Sequence, residues 1–193
     1  MTVEPKRYHH GDLRNTLLES ARAMLEEEGL GAVSLRAVAR RAGVSHAAPY
    51  RHFVNHEALL VEIAIEGFTE LKRSLQNACI AGDPVDERIA KIGAAYMRFA
   101  AQRPALVRLM FGPQVPNRES FPDLTAAADG IADEIGAALR DPVLGLAVWA
   151  AVHGLAVLIL ENVMDIGQRR SGTDVLPSRV EILLRSLFAA ARP

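Results

Sequence analysis

The chain has 193 residues, half of them hydrophobic, and its formal net charge is −1. This composition supplies a sizeable apolar core and excludes an intrinsically disordered protein. The single cysteine, Cys79, excludes an intramolecular disulfide, and an aromatic content of 5% favours an alanine- and leucine-rich helical fold.

The N-terminal sequence MTVEPKRYHH lacks the apolar stretch of a signal peptide. No segment contains the roughly 18 uninterrupted apolar residues of a membrane helix. We therefore expect a cytoplasmic protein without a membrane partner. Residues 6–10 form a polar arm that either reaches DNA or is a frayed terminus.

A first helix is predicted from about Asp12 to Glu28, because apolar residues recur on one face. Its last turn contains Glu26, Glu27 and Glu28, which are unfavourable at the negative end of the helix dipole. We interpret this glutamate triplet as solvated surface without a functional role.

The stretch from Ser34 to Phe53 has the pattern of a helix-turn-helix. Ser34 is a natural N-cap for its first helix, Gly43 ends that helix, and Ser45 is predicted to cap the second. The apolar face of the first helix is formed by Leu35, Val38, Ala39 and Ala42. A helix of this kind fits the major groove of B-form DNA, where each base pair shows a distinct pattern of donors and acceptors.

The run AGVSHAAPYRHF, followed by Asn55, Glu57 and Leu59-Leu60, resembles the DNA-binding signature of the TetR family of transcriptional regulators. The resemblance implies an all-α fold of about nine helices. It also implies an N-terminal three-helix helix-turn-helix DNA-binding domain in residues 1–56 and a C-terminal effector-binding and dimerisation domain in residues 57–193. Below, these two parts are called the head and the body.

We interpret eight residues as the DNA-binding surface: Arg36, Ser45, His46, Ala47, Tyr50, Arg51, His52 and His56. Arg36, His46 and Ala47 are expected to face the bases, and Tyr50, Arg51 and His52 to contact phosphates or the groove wall. Phe53, and partly Tyr50, should anchor the second helix from below. The sequence departs from the family pattern at Ala47, at Pro49 and at His56, which replaces a lysine that touches the DNA backbone.

The charge of the chain is unevenly distributed. Residues 1–56 contain eight Lys or Arg against six acidic residues, whereas the rest of the chain contains 14 against 17. A modestly basic head on an acidic body is typical of a DNA-binding module attached to a regulatory domain.

Helical periodicity predicts six helices in the body. They cover about residues 56–80, 84–101 with Asp83 as N-cap, 105–111, 124–140, 142–163 and 177–191. The first is capped by Asn55 and is expected to act as a lever between head and body. The fifth begins after Asp141 and is predicted to be buried, because it is apolar on nearly all sides. The fifth and sixth are expected to form half of a four-helix dimer interface, and the loop at 112–123 either gates a ligand or is a surface excursion.

Trp149 and His153 are four residues apart on one helix face, beside Gly154. This run resembles the Trp-His-Gly motif that defines one class of TetR-family C-terminal domains, which implies an effector-binding body. The candidate ligand-binding residues are Trp149, His153, Phe68, Tyr96 and Phe99. Each is alternatively a core residue, with the indole and imidazole satisfied inside the protein.

The leading hypothesis is a ligand-responsive homodimeric repressor that binds a palindromic, double-stranded DNA operator and is nucleoid-associated when bound. Its partners would be DNA, a second copy of the chain and a small-molecule effector. We expect no cofactor, no metal and no catalytic residue, because no ligand cluster or catalytic motif is present. The alternatives are a helical interaction protein with a degenerate head and an enzyme with a catalytic body.

Overall fold

The computed structural model describes residues 10–80, 82–114, 120–163, 180, 182–186 and 188, and this part of the chain is all-helical, as predicted. Its α-helices are α1 (His10–Glu28), α2 (Leu35–Arg41), α3 (His56–Gln76), α4 (Val85–Gln102), α5 (Pro104–Phe111), α6 (Pro122–Leu139) and α7 (Pro142–Leu160). Two 3-10 helices, Leu30–Ala32 and Pro49–Arg51, lie in the head. Residues 180, 182–186 and 188 are also helical. Residues 6–9 of the arm, residues 115–119 of the loop and more than half of the predicted last helix lie outside these ranges.

Three helix starts follow directly from their capping residues. Ser34 Oγ accepts a hydrogen bond from Ala37 N at 3.2 Å, and Asn55 Oδ1 accepts one from Ala58 N at 2.8 Å. Asp141 Oδ1 accepts from the first two free N–H groups of α7, at 2.9 and 3.0 Å. These side chains satisfy backbone donors that have no partner inside the helix. The caps at Ser34 and Asn55 were predicted, whereas Asp141 was predicted only to precede its helix.

The predicted cap at Asp83 is wrong. Asp83 Oδ2 accepts hydrogen bonds from Ile80 N and Lys91 Nζ, both at 2.8 Å, so this carboxylate closes the turn before α4 instead of capping it. The N-cap residue of α4 is Pro84, which makes no side-chain cap. An aspartate beside a turn can bond either to the turn or to the first N–H groups of the next helix. Here Asp83 bonds to the turn, and Lys91 in the second turn of α4 holds it there.

A continuous apolar core runs from the head into the body, and α3 lies at its centre. This helix packs against α1 in the head and against α4, α5 and α6 in the body. Phe53, at the end of the helix-turn-helix, is only 2% exposed and belongs to the same core as Phe68 in the middle of α3. The head and the body are therefore not separated by a flexible linker, because α3 packs against helices of both.

Helices α6 and α7 form the tightest pair in the body. Arg140 ends α6 in a left-handed conformation with φ 58°, which turns the chain directly into α7. The two helices then touch through glycines, because a Cβ built on Gly145 would lie 2.5 Å from the Cα and N of Gly136. Only a residue without a Cβ fits this backbone contact.

Helix α7 is not buried on nearly all sides, contrary to the prediction. Val148, Val152 and Ala156 pack into the core, but Val143 is 79% exposed and Leu146 is 54% exposed. The helix has a mean hydropathy of 2.4 and the length of a membrane span, criteria that a core helix or an assembly helix also meets. Within the described residues, one apolar face of α7 is thus left uncovered.

We expect Gly145→Ala to lower the free energy of unfolding by about 1–3 kcal/mol, because the new methyl group meets backbone rather than a movable side chain. Gly130→Ala on α6 is the matched control. Its Cβ would meet only Lys72 Nζ at 3.8 Å, and replacing a mid-helix glycine stabilises by about 0.5–1 kcal/mol. Urea unfolding at fixed protein concentration measures both variants. Equal stability of the two would contradict the close contact.

Candidate DNA-binding surface and effector cavity

Helix α2 forms the first half of the helix-turn-helix. Its buried residues Leu35, Val38 and Ala39 hold it on the core of the head. At its end, Gly43 adopts φ 69°, in the left-handed region that glycine enters without cost, and Val44 N donates to Ala39 O at 3.0 Å. The chain therefore reverses direction at Gly43, as predicted.

The second half of the motif is not an α-helix capped by Ser45. It is a turn at residues 46–48 followed by the 3-10 helix Pro49–Arg51. In an α-helix that starts at Ser45, residue 49 would donate to the Ser45 carbonyl, and proline has no N–H to donate. Ala48 N takes that acceptor instead, at 2.9 Å, and His52 N donates to Pro49 O at 2.9 Å. Pro49 thus sets the 3-10 winding of the segment.

Seven of the eight predicted DNA-binding residues are exposed: Arg36, Ser45, His46, Ala47, Tyr50, Arg51 and His56. His52 is half-buried beside Phe53. Tyr50 is 53% exposed and does not anchor the segment; Phe53 and Pro49 do, since both are buried. The structure therefore brings the predicted residues to the outside of one motif, and their contacts with DNA remain predictions.

The arginines of the head divide into two groups. Arg14, Arg22 and Arg41 each form an ion pair with a glutamate of α1 or α3. Arg36, Arg40 and Arg51 have no acidic partner within the described part of the chain. The positive charge that is left uncompensated thus lies on and beside the helix-turn-helix, where it can attract phosphates.

The glutamate triplet at the end of α1 is not merely solvated surface. Arg41 donates hydrogen bonds to Glu27 and Glu28, which ties α2 to α1. Glu26 accepts from the backbone N of Ala105 and Leu106, at 3.3 and 3.0 Å. A carboxylate of the head therefore caps the N-terminus of α5 in the body, where the helix dipole favours negative charge.

A groove of about 900 Å³ lies between α1, α3 and the start of α5, and four of its charged side chains pair with one another. Arg22 bonds both Glu66 and Glu70, and Arg103 bonds Glu70 from the body side. Burial raises the pKa of Glu70, but the hydrogen bond and charge of Arg22, with the charge of Arg103, outweigh burial and hold this pKa below its usual value. The ion pairs of Glu70 with Arg22 and Arg103 thus form a second polar contact between head and body.

Four aromatic rings meet inside the body, around His153. Tyr96 Oη and His153 Nδ1 are 2.8 Å apart. The imidazole ring lies 4.3 Å from the ring of Phe111 and 6.3 Å from that of Trp149, between centroids. Phe68 packs edge-on against Phe111 at 5.2 Å, so the cluster reaches α3. The sequence pointed to Trp149 and His153 but not to Phe111, which ends α5.

A cavity of about 530 Å³ opens beside this cluster, between the end of α5 and the end of α7. Its walls are Val107, Arg108, Phe111, Gly112, Pro113, Gln114, His153, Val157, Leu160 and Glu161. Of the five candidate ligand-binding residues, only His153 is among them. Tyr96 and Trp149 lie behind His153, Phe68 lies behind Phe111, and Phe99 belongs to the core.

Burial determines the charge state of this cluster. It lowers the pKa of His153, so the imidazole is neutral at pH 7. Burial also raises the pKa of Tyr96. The neighbouring Trp149 side chain lowers this pKa by less, so the phenol keeps its proton. The indole Nε1 of Trp149 is buried and, within the described residues, lies outside hydrogen-bond geometry of any acceptor. Within these residues no group of three or more potential metal ligands occurs.

Two family models match the chain, one on each domain. Residues 17–63 match the model described as bacterial regulatory proteins, tetR family, and residues 89–175 match the model described as tetracyclin repressor-like, C-terminal domain. The chain belongs to the TetR family. Members of this family are DNA-binding regulators rather than enzymes, which removes the enzyme alternative.

Individual relatives of the chain are named as HTH-type transcriptional regulators. The HTH-type transcriptional regulator Mb1846 of Mycobacterium bovis is 30% identical over 130 residues, which span 66% of the present chain and 54% of the relative. The chain thus matches about half the length of that regulator. An uncharacterized HTH-type transcriptional regulator, Rv0681 of Mycobacterium tuberculosis, is 27% identical over 79% of the chain and 72% of its own length.

Solved structures show the same TetR-family fold. A protein with unknown function from Rhodococcus sp. RHA1 has 29% identity and a TM-score of 0.70, with 94% of this chain and 98% of that chain covered. A bacterial regulatory protein in the tetR family from Rhodococcus RHA1 has a TM-score of 0.72 at 17% identity, with 90% and 95% covered. The second likeness supports the fold alone.

The lowered pKa of His153 predicts that this residue makes folding depend on pH. In the unfolded chain a histidine binds a proton near pH 6.5, whereas in the folded protein it does so only at lower pH. Its contribution is therefore complete above about pH 7 and is lost as the pH falls. Urea unfolding of wild type and His153→Gln between about pH 8 and pH 5.5 isolates it, because all other groups are shared. As the pH falls, we expect the free energy of unfolding of wild type to decrease relative to that of His153→Gln. A difference that does not change with pH would contradict the lowered pKa of His153.

Proposed function

We propose that the protein is a ligand-responsive homodimeric repressor that binds a palindromic operator through the major groove. The observation that carries this proposal is the exposed helix-turn-helix with Arg36, Arg40 and Arg51 left without acidic partners among the described residues. Uncompensated arginines on an exposed helix-turn-helix attract phosphates. The alternative of a degenerate head gives no reason why, among the described arginines of the head, those on this surface are the ones without an acidic partner.

We further propose that two copies associate through the uncovered face of α7 and the last helix. The exposed apolar residues of that face are Val143, Leu146, Val157 and Leu158 on α7, with Ile182 and Leu183 on the last helix. Contiguous apolar surface of this kind favours burial against another protein surface. A two-fold dimer would place two heads on one side, as two half-sites about 34 Å apart require.

The cavity beside His153 is the proposed effector site, and α5 is the proposed route to the head. The C-terminal end of α5 lines the cavity through Phe111, and its N-terminal end is capped by Glu26 of the head. The helix has eight residues, about 12 Å from end to end.

We assign the body to the Trp-His-Gly class, because Trp149 and His153 are neighbours in the cluster that forms the cavity wall. A cytoplasmic location remains a prediction.

Selection of genomic DNA fragments by the purified protein tests the function most simply. We expect enrichment of one inverted repeat whose half-sites are about one helical turn apart. Failure to enrich any sequence, with a folded dimer and at low salt, would favour an interaction protein with a degenerate head.

Removing one arginine of the DNA-binding surface should weaken operator binding in proportion to a lost phosphate contact. For Arg51→Ala we expect an operator Kd at least about five-fold higher and a slope of log K against log salt reduced by about 1. Arg98→Ala, which removes an exposed arginine from α4 in the body, is the matched control and should change neither quantity. Fluorescence anisotropy over a range of salt concentrations gives both values, and an unchanged slope for Arg51→Ala would show that it does not contact a phosphate.

A charge on the uncovered face of α7 should separate the proposed dimer. We expect Leu146→Asp to raise the dimer dissociation constant at least about ten-fold, because each dimer would bury two carboxylates in an apolar interface. Ile80→Asp introduces the same charge at a residue that is also exposed but lies between α3 and α4. Sedimentation velocity measures both, and a Leu146→Asp protein that stays dimeric would place the interface elsewhere.

A further inference from the structure

We infer that the cavity beside His153 binds a neutral, apolar molecule that carries a hydrogen-bond acceptor, such as a ketone, an ester or an amide. This inference rests on the proposed ligand-responsive function and adds the chemical class of the ligand. It depends on the apolar walls of the cavity, on the hydrogen bond between Tyr96 and His153, and on the ion pair between Arg108 and Glu161.

The volume and the walls of the cavity determine the size and the polarity of the ligand. Its volume of about 530 Å³ lies within the roughly 300–1,000 Å³ of typical small-molecule sites. Val107 and Phe111 from α5 face Val157 and Leu160 from α7, so most of the surface is aliphatic or aromatic. An apolar ligand of one or two rings, or a short alkyl chain, would be desolvated here with a favourable free energy.

The hydrogen bond behind the cavity fixes which nitrogen of His153 carries the proton. Tyr96 is only 1% exposed, so its O–H must find an acceptor inside the protein. The acceptor within reach is His153 Nδ1, at 2.8 Å. If Nδ1 carried the proton instead, the buried phenol would lack an acceptor among the described residues, at a cost of about 1–3 kcal/mol. Tyr96 therefore donates to Nδ1, and His153 carries its proton on Nε2.

A neutral imidazole with its proton on Nε2 is a hydrogen-bond donor to whatever occupies the cavity, because His153 forms part of the wall. Most of the adjacent wall is apolar, so an unsatisfied Nε2–H would lose water without compensation when an apolar ligand enters. A ligand with a carbonyl oxygen at this position restores the hydrogen bond. A hydrocarbon of the same shape does not.

The charged side chains at the cavity are paired with each other, which disfavours a strongly ionic ligand. Arg108 Nε lies 2.8 Å from Glu161 Oε1, and Arg108 also donates to the Leu160 carbonyl. These two side chains compensate each other, so the described lining residues offer no unpaired cation for a carboxylate and no unpaired anion for an amine. An ionised ligand would lose hydration without gaining a counter-charge. A neutral carbonyl compound has no such cost.

Three probes of similar shape test this class: benzophenone, diphenylmethane, which lacks the carbonyl, and diphenylacetate, which carries a negative charge. Calorimetry gives their affinities for the full-length dimer, and fluorescence of Trp149, the single tryptophan of the chain, reports occupancy near His153. We expect benzophenone to bind about ten-fold more tightly than either other probe, which corresponds to one buried hydrogen bond. Equal affinities, or tighter binding of diphenylacetate, would overturn the inference.

His153→Phe should abolish the preference for benzophenone over diphenylmethane, whereas Arg98→Phe, which introduces the same side chain at an exposed residue of α4, should preserve it. Because His153→Phe leaves the Tyr96 phenol without its acceptor, a second measurement avoids variants altogether. Nitrogen NMR of the imidazole ring in the wild-type protein distinguishes the two tautomers. A proton on Nδ1 rather than Nε2 would overturn the inference whatever the behaviour of the variant.

The failure of this inference is separable from the failure of the proposed function. The probe affinities are measured without DNA, and operator binding is measured without a probe. If benzophenone binds with the expected preference but leaves operator affinity unchanged, the ligand class stands and the ligand response is wrong. If no probe is preferred while the operator is bound, the regulator stands and the ligand class is wrong.

Discussion

The two hydrogen bonds that Ala105 and Leu106 donate to Glu26 connect the DNA-binding part of this protein to the rest. They satisfy backbone groups that α5 cannot satisfy itself, because its first turn has no other cap, and Pro104 at its start removes one further donor. The acceptor comes from α1, which also carries the ion pairs that hold α2. A displacement of α5 therefore either breaks a charge-assisted contact or moves α1 with it.

Through the contact between Glu26 and α5, a change at the aromatic cluster can reach the head. Phe111 closes the far end of α5 and touches both His153 and Phe68. Filling the cavity beside His153 would press on a helix that is only eight residues long, too short to absorb the change by bending. The ionic contacts of Arg22 and Arg103 with Glu70 run beside the same path, so head and body are joined both by a cap and by charge.

Much of the fold could be predicted from the sequence because local rules decide it. Ser34, Asn55 and Asp141 cap the helices that they precede, and helical periodicity located every α-helix within a few residues. The family resemblance supplied the arrangement of head and body. The predictions that were wrong depend on non-local partners or on a missing donor: Asp83 is taken by Lys91, and Pro49 replaces the α-helical winding by a 3-10 helix.

The candidate site was less predictable for the same reason. Glu26 meets its partners 79 and 80 residues further along the chain, and no local pattern announces that contact. Trp149 and His153 could be found because they share a helix face. Phe111 and Arg108 could not, since only the packing of α5 against α7 makes them part of the same cavity. The prediction that α7 is buried was wrong because a hydrophobic pattern does not distinguish a helix covered on all sides from a helix with one exposed apolar face.

The most direct test of the central claim, that α5 couples the cavity to the head, is operator affinity with and without saturating benzophenone in three proteins. They are wild type, Glu26→Ala and the control Glu19→Ala, which removes an exposed carboxylate from the same helix. Coupling between sites typically changes affinity about 5- to 150-fold. We predict such a change in wild type and Glu19→Ala, and a factor near one in Glu26→Ala, with unchanged probe affinity and unchanged operator affinity in the absence of the probe. An equal factor in all three proteins would contradict the claim.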